Sequence, residues 1–426
     1  MAVLAAGALV WGLAAAPALA DSTRDQQWPL QAYQADTKVW PISQGDGVTV
    51  AVIDTGVDPD HQDLTGQVLD GADFSGEHSN GKKDAVGHGT GMAGLIAGHG
   101  HGADSGVMGL APKAKILPIR VPLDADGNVA SGQQVNFADA LRYAVDHGAK
   151  VVNMSLYVGG MRTDTAARAA VNYAVSRDVV LVAATGNFGN ISGSPIDYPA
   201  AFPGVVAVGA IDRQGAVWDR SNRGPEISLV APGVDITSPG SNSPTDYRYT
   251  SGTSDATAYV SAIAALVRSK YPALSAGQVI RRMITSAAAP PDHSQVPNDR
   301  YGYGIASPSK ALAPNPAVDN GPKDNPLLTR VESQGAPDSS SPAPVPQATG
   351  GSHGGSTLWL YGAGGGVLVL IVLGVTFLIR RANRRPAAAA PAAPNGVPAP
   401  GAYPPPYPPQ QPHQAPYPPQ HHDPRS

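Results

Sequence analysis

Residues 48–54 read VTVAVID, and Thr55-Gly56 follow directly. Valine and isoleucine are stiff at Cβ and favour an extended backbone. Apart from Thr49 the run is apolar at odd and even positions alike, and it closes on an acid, Asp54. A strand with no in–out alternation suits a parallel sheet covered on both faces. Four further runs have this character: KILPIRV (115–121), VVNMSL (151–156), VVLVAAT (179–185) and VVAVGAI (205–211). Helical periodicity is predicted over 90–97, 135–147, 163–176, 253–269 and 276–287. Strand–helix alternation at this spacing predicts an α/β domain over 48–310, with a doubly wound, mostly parallel sheet flanked by helices. Its crevice is expected outside the carboxyl ends of the strands, where Asp54 falls.

Outward from that domain the composition changes. The chain has 426 residues, with 42 prolines concentrated after Ala311. It has no cysteine, which excludes disulfides and thiolate chemistry. A net charge of −4, with no basic stripe in the folded part, gives no case for nucleic acid. Residues 1–20 are apolar and end in Ala18-Leu19-Ala20, the small-x-small pattern of a secretory signal peptide. The usual basic start is missing, so an uncleaved anchor stays open beside it. Residues 21–47 form an N-terminal extension, a polar lead carrying Trp28, Tyr33 and Trp40. Residues 311–357 are Pro/Ser/Gly-rich and read as a linker.

Residues 358–379 carry no charge and are long enough to span a bilayer at ~1.5 Å rise per residue. Trp359 and Tyr361 sit at one end, and Arg380, Arg381, Arg384 and Arg385 follow the other. The positive-inside rule then predicts a single-pass transmembrane helix at the cell membrane, with the α/β domain extracytoplasmic and a Pro-rich tail (380–426) in the cytoplasm.

Four short stretches carry chemistry. Asp54 ends the 48–54 run. GHGTGMAG sets His88 between two glycines at a helix start, where backbone can pass close to a neighbour. SGTSDATAYVS (251–261) sets Ser254 at the start of a nearly all-apolar helix. There it is either a cap or a nucleophile whose own N–H faces an oxyanion at the positive helix end. Thr253 is the better candidate for the capping role. Asn187 in VAATGNFGN follows a strand and could supply a second oxyanion donor. His61, His78, His99, His101 and His147 lack such a context and are expected at the surface.

Together these blocks resemble the subtilisin-like serine proteases, the subtilases of peptidase family S8. AVIDTGVD, GHGTGMAG and SGTSDAT match the family's signature blocks in the order Asp–His–Ser. VNMSL and SNRGPEISLVAPG match its substrate-binding strand and a late structural block. The resemblance covers roughly residues 40–310. It implies Ser254 as nucleophile, His88 as general base, Asp54 as its orienting acid, and Asn187 with the Ser254 N–H as oxyanion donors. It also implies that Ser155, Leu156 and Tyr157 line the main specificity pocket, where Tyr157 either narrows it toward smaller side chains or packs its hydroxyl away from the site. No cofactor or metal is required. Asp63 falls where some relatives place a calcium ligand, but no full ligand set accompanies it, and calcium is left undecided.

The layout of signal, lead, protease, Pro-rich linker, span and short tail resembles the mycosins, membrane-anchored proteases of type VII secretion. That implies a lead that wraps the catalytic domain without blocking it, a secreted protein substrate, and partnership with the secretion membrane complex. A degradative cell-surface subtilase and a secretion-complex scaffold with secondary or silent activity stay open as alternatives. The chain departs from the family at Asp255 and Ala258, where an apolar residue and a proline are usual. A negative charge at Asp255 is expected to raise the pKa of His88.

Overall fold

In a computed structural model of the chain, the described residues are 22–330 apart from 103, 192 and 193. The signal reading (1–20), the span at 358–379 and the tail lie outside them, as does the linker beyond 330. Among the described residues no helix is long and apolar enough to cross a membrane.

The five runs expected as strands are strands. With β1 (Thr49–Asp54), β2 (Ala72–Asp73), β3 (Lys115–Arg120), β4 (Val151–Met154), β5 (Val180–Ala184), β6 (Val206–Ile211) and β7 (Ile227–Pro232) they form one sheet in the order β2-β3-β1-β4-β5-β6-β7. Every pairing in it is parallel. A separate antiparallel pair, β8 (Ile236–Pro239) and β9 (Tyr247–Thr250), has no signature in the sequence.

β1 shows why its unbroken apolar pattern is needed. Successive side chains of a strand point to opposite faces. Val50 and Val52 join one buried cluster, with the helices His88–Ala97 and Thr253–Lys270. Ala51 and Ile53 join the other, with the helices Phe137–Asp146 and Thr165–Ser176. Helix Thr253–Lys270 is buried along nearly its whole length, packing on β4 through β7. A helix apolar all round belongs inside a core.

The lead is part of this core. Trp28, Leu30, Ala35 and Val39 are buried in the first cluster. Gln27 exchanges two hydrogen bonds with the backbone of Met108, and Trp28 Nε1 donates to the carbonyls of Val234 and Asp235.

The folded chain also runs past 310, where a tether was expected. Helices Pro308–Leu312 and Pro316–Asp319 each begin with proline, the residue best suited to a first helical turn. Fully buried Arg282 donates to both carboxylate oxygens of Asp319 and to the carbonyls of Ala311 and Ala313. Arg330 donates to the carbonyls of Ala200, Phe202, Val205 and Glu226. Residues 311–330 therefore belong to the domain.

Candidate active site

Asp54 closes β1 at its carboxyl end, and the next turn leads toward helix His88–Ala97. Gly89 explains the glycine after the histidine. A side chain there would collide with the carbonyl of Gly56 and press on Asp54 Cβ. The close approach puts His88 Nδ1 2.7 Å from Asp54 Oδ1, which also accepts from the Thr55 N–H at 2.8 Å. Asp54 is fully buried, and Oδ2 has no partner among the described residues.

Asp84 braces this pair. One oxygen accepts from Thr55 Oγ1 and from the N–H groups of Val86 and Gly87. The other accepts from Thr90 N–H and Oγ1. Thr55 Oγ1 in turn accepts from the Gly89 N–H. The carboxylate thus ties the turn after Asp54 to the helix start that carries His88. A lone aspartate in KKDAVGHG gives no periodic signal, and its role is not readable from sequence.

Ser254 lies in the first turn of helix Thr253–Lys270, after Gly252, whose extended backbone caps the helix without a side-chain bond. Thr253 does not cap it. Its Oγ1 donates to Asn187 Oδ1 and accepts from the Gly186 N–H. The Thr253 N–H also donates to Asn187 Oδ1, at 2.9 Å. With its oxygen engaged twice, the Asn187 amide leaves Nδ2 without a partner among the described residues, on a cleft it shares with His88 and Ser254. The loop is held from behind by Asn222, which accepts from Phe188 N–H and donates to the Pro195 carbonyl. Ser254 and His88 line this cleft without a direct hydrogen bond. Such contacts commonly tighten only when substrate is bound.

Ser155 and Leu156 follow β4. Ser155 Oγ donates to the Ser254 carbonyl and accepts from Asn153, which accepts in turn from Ser261. Ser155, Leu156 and Tyr157 line a second pocket beside Ser254 and Asn187. Residues 22–47 line neither pocket.

The charges around His88 compete. Burial lowers its pKa, while the Asp54 charge and hydrogen bond raise it. Asp255 raises it further, Arg248 lowers it, and the net direction is up. Burial pushes Asp255 itself up to about 6, against the pull of His88, a Thr250 hydrogen bond and Arg248. The expected effect of Asp255 on His88 is therefore present, tempered by partial neutralisation near that pH.

Asp63 accepts on one oxygen from His101 Nδ1 at 2.6 Å and on the other from the Val107 N–H and the Tyr247 hydroxyl. Both of its oxygens thus meet protein donors. No grouping of three metal-ligating side chains occurs among the described residues. Of the five histidines expected at the surface, His78 and His147 are exposed and His99 and His101 half-buried. His61 is fully buried, its Nε2 2.8 Å from the Asp246 carbonyl and its Nδ1 accepting from the Asp63 N–H.

Residues 45–304 match the subtilase family model. The chain belongs to the subtilase family. It is 42% identical over 232 residues to a thermophilic serine proteinase of Bacillus sp. (strain AK1), covering 54% of this chain and 55% of that one. The chain thus spans little more than half the length of that relative. Within the family, its fold is similar to solved mycosins. One is MycP1 with the N-terminal propeptide removed, 29% identical with a TM-score of 0.57, covering 70% of this chain and 99% of that chain. Another is the MycP3 protease from the type VII (ESX-3) secretion system, 31% identical with a TM-score of 0.54, covering 68% and 88%.

Proposed function

We propose that this chain is a serine endopeptidase held at the outer face of the cell membrane, where it processes a secreted protein in association with type VII secretion. The observation that carries the catalytic part is the 2.7 Å contact of His88 with a buried Asp54, beside a cleft that His88 shares with Ser254 and Asn187.

In this reading Ser254 Oγ attacks the scissile carbonyl carbon while His88 Nε2 takes its proton. Asp54 holds Nδ1 and offsets the charge of the imidazolium. The carbonyl oxygen, now an oxyanion, accepts from Asn187 Nδ2 and from the Ser254 N–H at the positive end of the helix. Collapse of the intermediate breaks the C–N bond, and the imidazolium protonates the leaving amine. Water activated by the same imidazole then hydrolyses the acyl-enzyme.

The membrane and secretion parts are supported by the apolar 358–379 stretch with its following arginines, and by the likeness to mycosins. A fluorophosphonate probe tests the catalytic part: it should label the full chain and fail on Ser254→Ala and His88→Ala. Labelling of Ser254→Ala at the wild-type rate would refute it. Comparing protein termini between wild-type and Ser254→Ala cells tests processing. Recovery of the Ser254→Ala chain with secretion-membrane proteins tests the association.

A further inference from the structure

The pocket beside Ser254 contains an acid that the proposed mechanism does not use. Asp197 is 9% exposed and lines that pocket together with Tyr157, Asn187 and Ser254. Its carboxylate lies over the Cα of Gly186, the residue before Asn187. Gly186 has φ +104°, and a side chain there would displace the carboxylate. Glycine is thus required at 186 both by the backbone and by Asp197.

The carboxylate is poorly satisfied. Its one hydrogen bond among the described residues, from Asn222 Nδ2, is long at 3.4 Å, and that donor makes a 2.7 Å bond to the Pro195 carbonyl. No cation among the described residues pairs with it. Arg220 lines the same pocket but stacks on Trp218, 5.3 Å from the ring centre. Arg162 lines the adjoining pocket, which Asp197 also borders, and is exposed. Burial pushes Asp197 up to about 7. A buried carboxylate with neither a cation nor a strong donor is costly unless something completes it.

The rest of the pocket fits a long side chain with a charged end. Leu156 and Ala184 give it apolar lining between the chain following β4 and the end of β5. The rings of Tyr157 and Phe188 lie edge to face at 6.4 Å, both partly exposed. Lysine and arginine bury their methylene stems along such surface, can lie against aromatic faces, and carry their charge to the far end.

We propose that Asp197 is a specificity-determining residue that selects lysine or arginine on the acyl side of the cleaved bond. The inference rests on the serine-protease reading and names the substrate class of that site. Asp197 pairs with the cation of the substrate side chain. The reacting carbonyl is thereby held between Ser254 and the oxyanion donors. A fully apolar side chain leaves Asp197 unpaired, and an acidic one adds a repelling charge.

The test uses the full chain and fluorogenic peptides identical except for Lys, Arg, Leu, Phe, Ala or Glu before the scissile bond. Wild type is expected to cleave Lys and Arg peptides with kcat/KM at least about 10-fold above the others. In Asp197→Asn the ratio of kcat/KM for Arg over Ala should fall by about 10- to 100-fold, and Asp197→Glu should restore part of it. Benzamidine, a small cation, should slow fluorophosphonate labelling of wild type, which needs no folded variant. Labelling of Ser254 with a preference for Leu, Phe, Ala or Glu, or with no benzamidine protection, overturns this inference alone. An unchanged Arg-to-Ala ratio in a labelled Asp197→Asn protein does the same. Absence of both labelling and cleavage overturns the protease reading and this inference with it.

Discussion

The side-chain oxygen of Asn187 accepts from the backbone N–H of Thr253, the residue before Ser254, at 2.9 Å. Asn187 follows β5 and Thr253 opens the helix, so one hydrogen bond fixes a loop donor against the helix end. It also decides which end of the amide faces the cleft. Asn187→Ala should lower kcat by ~10²–10³ with KM nearly unchanged, because the lost donor serves the oxyanion and not the ground state. Steady-state kinetics on one peptide checks the split. A loss confined to KM would place Asn187 in substrate binding instead.

In the proposed mechanism the raised pKa of His88 sets the acidic limb of the pH–rate profile. Catalysis needs neutral imidazole, so kcat/KM should rise with pH through a value above the ordinary histidine value of about 6.5. Replacing Asp255 by asparagine removes a negative neighbour and should move that limb to lower pH. Replacing Arg248 by methionine should move it to higher pH. Profiles of the three proteins on one substrate decide; a limb unmoved in Asp255→Asn removes this charge from the account.

The same shifts enter stability. The folded pKa of His88 lies above its unfolded value, so its contribution is fully present below the unfolded pKa and lost as pH rises through the folded one. Asp255 is an acid with a folded pKa of about 6, above the ordinary aspartate value of 3.8. The folded chain therefore holds its proton more tightly between those values, and stability falls as pH rises through that window. Asp255→Asn should flatten the fall, read from urea midpoints at pH 4 and pH 7.

In the proposed mechanism Asp84 is a positioning residue: it bonds Thr55, Val86, Gly87 and Thr90, and not Asp54, His88, Ser254 or Asn187. Asp84→Ala strands several buried donors at once and should cost about 3 kcal/mol or more of stability. Asp84→Asn keeps the shape and an acceptor and should cost less. Both should lower kcat more than KM, because a loosened helix start misplaces His88. Equal stability of the alanine variant and wild type in urea would contradict this account.

Trp28 anchors the lead through its buried ring and its bonds to Val234 and Asp235. Trp28→Ala should cost about 3–5 kcal/mol. Its kcat per labelled molecule should stay at wild type, because residues 22–47 line neither pocket. Active-site titration beside thermal unfolding separates the two effects.

Much of this architecture is legible in the amino-acid sequence. β1, β3, β4, β5 and β6 each bury both faces, and a two-sided burial leaves an apolar run that composition alone reveals. Helix Thr253–Lys270 is legible for the same reason. β8 and β9 are not: prolines and a glycine leave ITSPGSNSPTDYRYT with no apolar run, and pairing across a turn holds it. The positions of Asp54, His88, Ser254 and Asn187 come from short blocks, but their bracing does not. Asp84 reaches back to Thr55, and Asp197 meets Gly186 and Asn222, through contacts that only folding makes. His61 escapes a sequence reading because a lone polar residue in a loop shows no pattern that betrays burial. Residues 311–330 resemble a tether because of their proline density. Here Pro308 and Pro316 open helical turns, and Arg282 supplies the partner that Asp319 needs.

The docking of the lead also bears on how such an enzyme is governed. A propeptide that plugs a cleft makes proteolysis an on-switch. This segment instead knits Met108, Val234 and Leu110 together away from the cleft. Clipping it would weaken the molecule and leave the cleft as open as before. Among the described residues, then, the lead acts as a buttress and not as a lock.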